Sequence, residues 1–273
     1  MTERFPLIMG IINITPDSFF AGSRHEAPDS IIESIERMIE AGADLIDLGA
    51  ESTRPYAEMI TAEQEIGRLL PVIERIRQRF PGLVLSVDTY KSETAEACLK
   101  AGVPIINDVS GFDWDQALLE ILVRYRPGYI LMHSLGRPES MQDNPCYQNV
   151  VEEIMNFWKS RSEILIRHGI PTSSIMVDPG IGFGKRCSHN LDILRQLSRL
   201  KRSGFKLVIG LSRKRFLGEL LDLKNPADRL NGTTVMHTWC LLQGVDILRV
   251  HDVREAVESK RLVAQLRVRK EEA

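Results

Sequence analysis

Eight short apolar runs punctuate the chain, at residues 7–14, 44–49, 83–88, 103–108, 128–133, 174–178, 206–211 and 245–250. They are rich in Val, Ile and Leu and lack strict polar alternation, the pattern of strands covered on both faces. Between them lie longer stretches with apolar residues at helical spacing. Residues 30–41 form one, and residues 62–79 another, with Ile66, Leu69, Leu70, Ile73 and Ile76 recurring along one face. Gly42 and Gly102 stand where a helix stops and the next run begins. Strand and helix alternating in this way predict a parallel sheet. Eight units favour a closed α/β barrel, a single (β/α)8 TIM barrel, over an open doubly wound sheet. The 273 residues suit one such barrel, which takes about 250. The chain therefore reads as one domain over residues 1–273, with a frayed tail from about residue 267. The longest irregular stretch is expected at residues 134–148, after the fifth strand.

Charge and cysteine content narrow the class. The formal net charge is −2, and no basic run occurs before residues 267–270. That argues against nucleic acid or a membrane surface as the main partner. Cys98, Cys146, Cys187 and Cys240 are far apart with no C-x-x-C pair, so a thiolate zinc site or a disulfide framework is not expected. Reduced, structural cysteines fit a cytosolic protein. The apolar run at residues 7–14 is too short to span a bilayer, and Thr15-Pro16-Asp17 follows it without a small-residue cleavage site. The expected location is the cytoplasm.

The chemical signal is positional. The first run ends at Asn13, the second leads into Glu51-Ser52-Thr53-Arg54-Pro55, and the third ends at Asp88. The fourth ends at Asn107-Asp108, the fifth at His133 and the sixth at Asp178-Pro179-Gly180. The seventh leads into Ser212-Arg213-Lys214 and the eighth into Arg249-Val250-His251-Asp252. In a parallel barrel all eight ends converge on one mouth, where barrel enzymes carry their active sites. A single Asp or Asn at a strand end is more often a helix cap or turn former, and that reading suits Asp108, Asp113 and Asp252. It does not suit Asp88, Asn107 and Asp178 together. Two carboxylates and an amide aimed into a barrel need partners, at a few kcal/mol each.

A 2-amino-4-oxo-pyrimidine edge supplies such partners, because one carboxylate accepts from an exocyclic amine and a ring N–H together, and Asn donates and accepts along the same edge. Arg249, Lys214 and His251 add donors for an anion. The mouth therefore reads as a polar heterocycle at the floor and a phosphate nearer the rim. The stretch Asp178-Pro179-Gly180-Ile181-Gly182-Phe183-Gly184-Lys185 is neither a P-loop nor a dinucleotide fingerprint. Its glycines are expected to let backbone pass close to a flat ligand.

Eight short stretches, in order, resemble bacterial dihydropteroate synthases: Met9 to Phe19, Glu51 to Pro55, Ser86 to Thr89, Ile106 to Ser110, Met132-His133, Asp178 to Lys185, Ser212 to Lys214 and Arg249 to Asp252. The resemblance spans nearly the whole chain. It implies a pterin-binding barrel that joins 4-aminobenzoate to 6-hydroxymethyl-7,8-dihydropterin diphosphate with loss of pyrophosphate. It assigns Asp88, Asn107, Asp178 and Lys214 to the pterin, with Met132 and Phe183 against its ring. Asn13, Arg249 and His251 are assigned to pyrophosphate, Asn13 also as a Mg2+ ligand. Lys214, Arg249 and His251 are the residues expected to carry catalysis. Thr53, Arg54, Pro55, Ser212 and Phe19 are assigned to the aminobenzoate, whose pocket sulfonamides contest in the family. A homodimer through outer helices is implied, with Leu217, Leu220, Leu221 and the helix after Thr233 as candidates.

The chain departs from the family pattern in two loops. Phe20-Ala21-Gly22-Ser23 stands where the family has Ser-Asp-Gly-Gly, and Ala50 and Tyr56 replace glycines around the Glu51 motif. Two alternatives stay open from the sequence: a methyltetrahydrofolate:corrinoid methyltransferase on the same floor chemistry, and a pterin-binding paralogue without turnover.

Overall fold

The computed structural model describes residues 6–14, 26–51, 59–138 and 140–267. Eight parallel strands form a closed barrel in chain order: β1 (Leu7–Asn13), β2 (Leu45–Gly49), β3 (Val84–Asp88), β4 (Ile105–Asp108), β5 (Gly128–Met132), β6 (Ile175–Asp178), β7 (Lys206–Ile209) and β8 (Ile247–Val250). Each predicted run carries one strand, trimmed by two residues at most at either end. Helices follow the strands around the outside: α1 (Glu26–Glu40), α2 (Ala62–Arg79), α3 (Ser92–Lys100), α4 (Ala117–Tyr125), α5 (Val150–Arg167), α6 (Cys187–Arg195), α7 (Leu197–Lys201), α8 (Arg215–Leu221), α9 (Leu230–Leu242) and α10 (Val253–Arg267). Residues 134–148 hold turns but neither helix nor strand among those described. Among the described residues no helix is long and apolar enough to cross a membrane.

Helix α2 shows how sequence fixes an element's ends. Thr61 accepts from the Gln64 backbone N–H at 3.2 Å, and the Gln64 side chain accepts from the Thr61 N–H at 3.0 Å. This capping box satisfies two backbone donors that would otherwise be orphaned. Its inner face departs from the apolar pattern. Glu65 is buried while Ile66 is only half-buried. Glu65 turns inward because Lys91, Thr89 and Thr94 all donate to its Oε2, at 3.2, 3.2 and 2.8 Å.

Strand periodicity sorts the core into two parts. Outward residues such as Ile8, Ile46, Leu48, Leu85 and Val87 pack in the large cluster shared with the helices. Inward residues Met9, Leu45, Ile130, Met176, Val208 and Ile247 form a separate apolar layer. A side chain of this kind contributes about 1.5–3 kcal/mol when fully buried. Two residues further along several of these strands, with side chains on the same inward face, the chemistry changes.

Candidate active site

The inward face of β2 reads Leu45, Asp47, Gly49; that of β3 ends in Ser86 and Asp88; that of β4 ends in Asn107; that of β8 ends in Arg249. Asn13, Gly49, Asp88 and Asn107 stand in one register row across the first four strands. The Arg249 guanidinium crosses the barrel to reach two carboxylates. Its Nε donates to Asp47 Oδ2 at 2.6 Å and its Nη2 to Asp88 Oδ2 at 2.7 Å. Asn107 Nδ2 donates to the same Asp47 oxygen at 3.0 Å. Arg249 is therefore anchored into the floor as well as standing at a strand end. Burial pushes the Asp88 carboxyl up, to about 7, while Arg249 pulls against it and Asp47 adds to the rise.

Asp178 ends β6 and turns the chain. Its Oδ1 accepts from the Gly180 N–H at 2.7 Å. An ionised carboxylate takes about four hydrogen bonds, so one backbone bond leaves acceptor capacity toward the barrel axis. Burial raises its pKa, opposed chiefly by Lys214. Lys214 is itself lowered to about 8 by burial, with Asp178 opposing the shift. Its Nζ lies 4.5 Å from the Phe183 ring centroid and donates to the Ile181 carbonyl. Asp178, Lys214 and Phe183 thus share one corner of the mouth.

Two glycines of the β6–α6 loop stand tight against protein. A Cβ on Gly180 would sit 2.0 Å from the His133 carbonyl, and one on Gly184 2.5 Å from Leu135 Cβ. Both adopt positive φ, 67° and 62°. They let this loop pack against the loop after β5, so close backbone approach is to protein. Lys185, buried beneath, fastens the two loops. Its Nζ contacts His133 Nδ1 at 3.0 Å and donates to the carbonyls of His133 and Phe183 at 3.2 and 3.0 Å. Burial holds both the Lys185 amine and the His133 ring well below their ordinary pKa values.

The remaining expected residues sort clearly. Met132 packs with Tyr90 and Val109, and Phe183 leans on that group from the β6 loop. Ser212 Oγ accepts from the His251 backbone N–H at 3.3 Å, joining the ends of β7 and β8. Arg213 turns away and forms a two-point pair with Asp252, at 2.9 and 2.7 Å. Asp108 is the expected turn former: it accepts from the Ser110 and Phe112 N–H groups at 2.7 and 2.6 Å and from Tyr129 Oη at 2.6 Å. Phe19, Phe20, Ala21, Thr53, Arg54, Pro55 and Tyr56 lie outside the described residues.

Three residues were missed from the sequence. Asp47 sits inside an apolar strand, and only the strand ends were read for polar chemistry. Lys185 closes the glycine-rich stretch at residues 178–185, where its neighbours in sequence give it no role. Lys91 bridges Glu51 Oε2 at 2.9 Å and Glu65 Oε2 at 3.2 Å, while Glu51 Oε1 accepts from the Ile60 N–H at 2.8 Å. These contacts fasten both ends of the segment after β2 to Lys91, at the end of the β3–α3 connection. A lone carboxylate flanked by Ile46 and Leu48 was the available signal for Asp47.

The model of the family described as "Pterin binding enzyme" matches residues 9–251. The dihydropteroate synthase of Escherichia coli K12 is 39% identical over 258 residues, covering 94% of this chain and 90% of that protein. The chain belongs to the dihydropteroate synthases of the pterin-binding family. Two solved structures agree in fold along almost the whole length. Yersinia pestis dihydropteroate synthase with a sulfonamide drug superposes with TM-score 0.90 at 38% identity, covering 96% of this chain and 94% of that one. The Xanthomonas albilineans enzyme in complex with 7,8-dihydropteroate gives 0.87 at 34% identity, covering 98% and 96%. Family membership sets the chain with synthases rather than with the corrinoid methyltransferases. In this chain the row Asn13, Asp88, Asn107, the corner Asp178–Lys214–Phe183 and the bridging Arg249 come from six different strand ends of one barrel.

Proposed function

We propose that the pterin lies on the floor formed by Asp88, Asn107, Asp178 and Lys214, and that the synthase reaction runs there by positioning and charge stabilisation. The reaction forms a bond from the 4-aminobenzoate nitrogen to the pterin methylene carbon and breaks that carbon's bond to the diphosphate oxygen. The amine loses a proton, and pyrophosphate leaves with the electron pair. The observation that carries the reading is the convergence of buried acceptors and cations at one end of the barrel, where Asp178 and Asn107 keep acceptor capacity beyond their protein bonds. Asp178 would accept from two pterin N–H donors, Asn107 would present its carbonyl oxygen, and Lys214 would donate to a ring acceptor. Met132 and Phe183 would flank the ring.

The anion falls to Asn13, Arg249 and His251. Arg249 has five N–H donors, of which Nε and one on Nη2 go to carboxylates, so others can meet phosphate oxygens. Thr53, Arg54, Pro55, Ser212 and Phe19 are proposed to surround the aminobenzoate. Magnesium is proposed as cofactor. Among the described residues no three His, Cys, Asp or Glu side chains group to hold a metal. A hard cation that takes one or two protein oxygens and completes its shell with phosphate oxygens and water fits such a site, with Asn13 Oδ1 as the protein ligand. When bound it would neutralise charge on the leaving diphosphate.

A cytoplasmic location is proposed from the four cysteines, all unpaired. A homodimer is proposed through α8 and α9, where Leu220, Leu221, Val235, Trp239 and Leu242 are exposed. Leu217 is excluded from that face because it is buried in the core. A monomeric mass by light scattering at micromolar concentration would contradict the dimer. The functional reading itself is tested by pyrophosphate release from pterin diphosphate in the presence of 4-aminobenzoate and magnesium. Release that requires all three supports it, and a chain that binds pterin but releases none refutes it.

A further inference from the structure

We propose that Asp47 is a positioning residue for the reaction: it fixes which face Asn107 shows the pterin and holds the Arg249 guanidinium in place. The inference rests on Asn107 and Arg249 facing the ligand. Asp47 lies mid-strand in β2, is wholly buried, and sits on the same inward face as Leu45 of the apolar layer. A leucine there would extend that layer. The carboxylate is instead an expensive choice, since burying an ion pair seldom stabilises a fold more than apolar residues of similar volume would. The expense is visible. Asp47 Oδ1 has no hydrogen-bond partner, and neither does the hydroxyl of Ser86, its register partner on β3. Buried polar atoms left in this way call for a reason beyond stability.

The geometry supplies one. Asp47 Oδ2 receives both Asn107 Nδ2, at 3.0 Å, and Arg249 Nε, at 2.6 Å. An ionised carboxylate only accepts. The Asn107 amide must therefore turn its NH2 group toward Asp47 and its carbonyl oxygen away, toward the floor. A side-chain amide without such a neighbour can rotate by a half turn and present a donor. Against a ligand edge made of N–H groups, that rotation sets donor against donor. Asp47 also holds Arg249 through Nε while Asp88 holds Nη2 at 2.7 Å, so the guanidinium plane is fixed at two points. Asp47 thus acts on the ligand through two other residues and touches none of it.

The test compares Asp47→Asn, Asn107→Ala and the double variant in steady-state kinetics on the full chain. Asn keeps the shape and can accept, but it can also donate and carries no charge. Asp47→Asn is expected to raise KM for pterin diphosphate at least tenfold and to leave KM for 4-aminobenzoate within about twofold. The double variant is expected to lose clearly less than the product of the two single losses, since the part of the Asp47 effect that runs through Asn107 is shared and only the part through Arg249 is not. Losses that multiply, or a drop in kcat alone that follows the active fraction, would overturn the proposal. If Asn107→Ala leaves KM for pterin diphosphate unchanged, the placement of the pterin fails and the inference with it. If Asn107→Ala raises that KM and Asp47→Asn does not, the inference alone fails. Should Asp47→Asn not fold, Asp47→Ser must show the same split between the two KM values. Failure of both to fold would mark Asp47 as structural and overturn the proposal.

Discussion

Two layers of one barrel interior are built from the same strands with opposite aims. The lower layer, Met9, Leu45, Ile130, Met176, Val208 and Ile247, is apolar and buried. The upper one is polar: Asp47, Asn107 and Asp178 are buried, Asp88, Lys214 and Arg249 are half-buried, and Arg249 is tied to two carboxylates. A barrel held only for stability would repeat the lower layer upward. The upper layer gives up apolar contact and accepts desolvated charge, seen in the raised pKa values of Asp88 and Asp178 and the lowered one of Lys214. Such concessions mark where a protein has placed function above stability.

The comparison breaks most readily at its lower half. Ile130→Ala is expected to lower unfolding free energy by about 2–5 kcal/mol in a urea titration, the usual range for emptying a packed core site. KM for pterin diphosphate should stay within about twofold. An equally large change in KM would mean the layers are not separable.

In the upper layer the opposite is expected. Asp178→Asn should weaken pterin binding by about 1–3 kcal/mol, because an amide offers fewer acceptors and leaves a ligand donor unpaired. Its unfolding free energy should hold or rise, since a buried carboxylate has been neutralised. Calorimetry and denaturation together decide this, and undiminished pterin affinity would remove Asp178 from the floor.

The charge states sharpen the contrast further. Asp88 must be ionised to hold Arg249, and its pKa is raised to about 7, so this requirement fails as pH falls through that value. Lys214 must be protonated to donate, and its pKa is lowered to about 8, so that requirement fails as pH rises through it. A bell-shaped profile of kcat/KM for pterin diphosphate is expected, with its maximum between the two. Lys214→Met should remove the alkaline limb and leave the acid one. A flat profile from pH 6 to 9 would contradict both assignments.

The smallest expected effect concerns residues outside the described ones. Phe20 and Tyr56 bring aromatic bulk to loops assigned to the aminobenzoate. Sulfonamides extend past the outline of that substrate, so Phe20→Ser with Tyr56→Gly should improve their inhibition constant several-fold more than it changes KM. Equal changes in the two constants would show that both aromatics lie clear of the pocket.

Much of this was legible in the sequence. The strands were, because Val- and Ile-rich runs bounded by Gly, Pro and Asp have few other uses in a chain this long. The bounds of α2, residues 62–79, were legible from its helical spacing, whereas the capping box that starts it shows only in the structure. Asp88 and Asp178 were found because each closes a strand, and Asn107 because it stands beside the end of one. Asp47 was not, because it sits two residues inside its strand's end, where nothing local separates an inward carboxylate from an outward one. Lys91 and Glu65 stand 26 residues apart, and Lys185 and His133 52 apart, so those pairings exist only once the barrel closes. The glycines of the β6–α6 loop were visible, but what they approach depends on a neighbouring strand. Leu217 and Leu220 look alike in sequence, and only the packing of α8 shows one buried and the other exposed.

The claim underlying all of this is that the polar layer, and not another surface, receives the pterin. A crystal structure with 6-hydroxymethylpterin tests it most directly. The expected result is a ring inside the mouth with both Asp178-facing N–H groups on that carboxylate, the Asn107 carbonyl oxygen turned toward the ring, and the Asn107 amide still on Asp47. A ring bound elsewhere, or one that meets Asn107 through its NH2 group, would contradict the account.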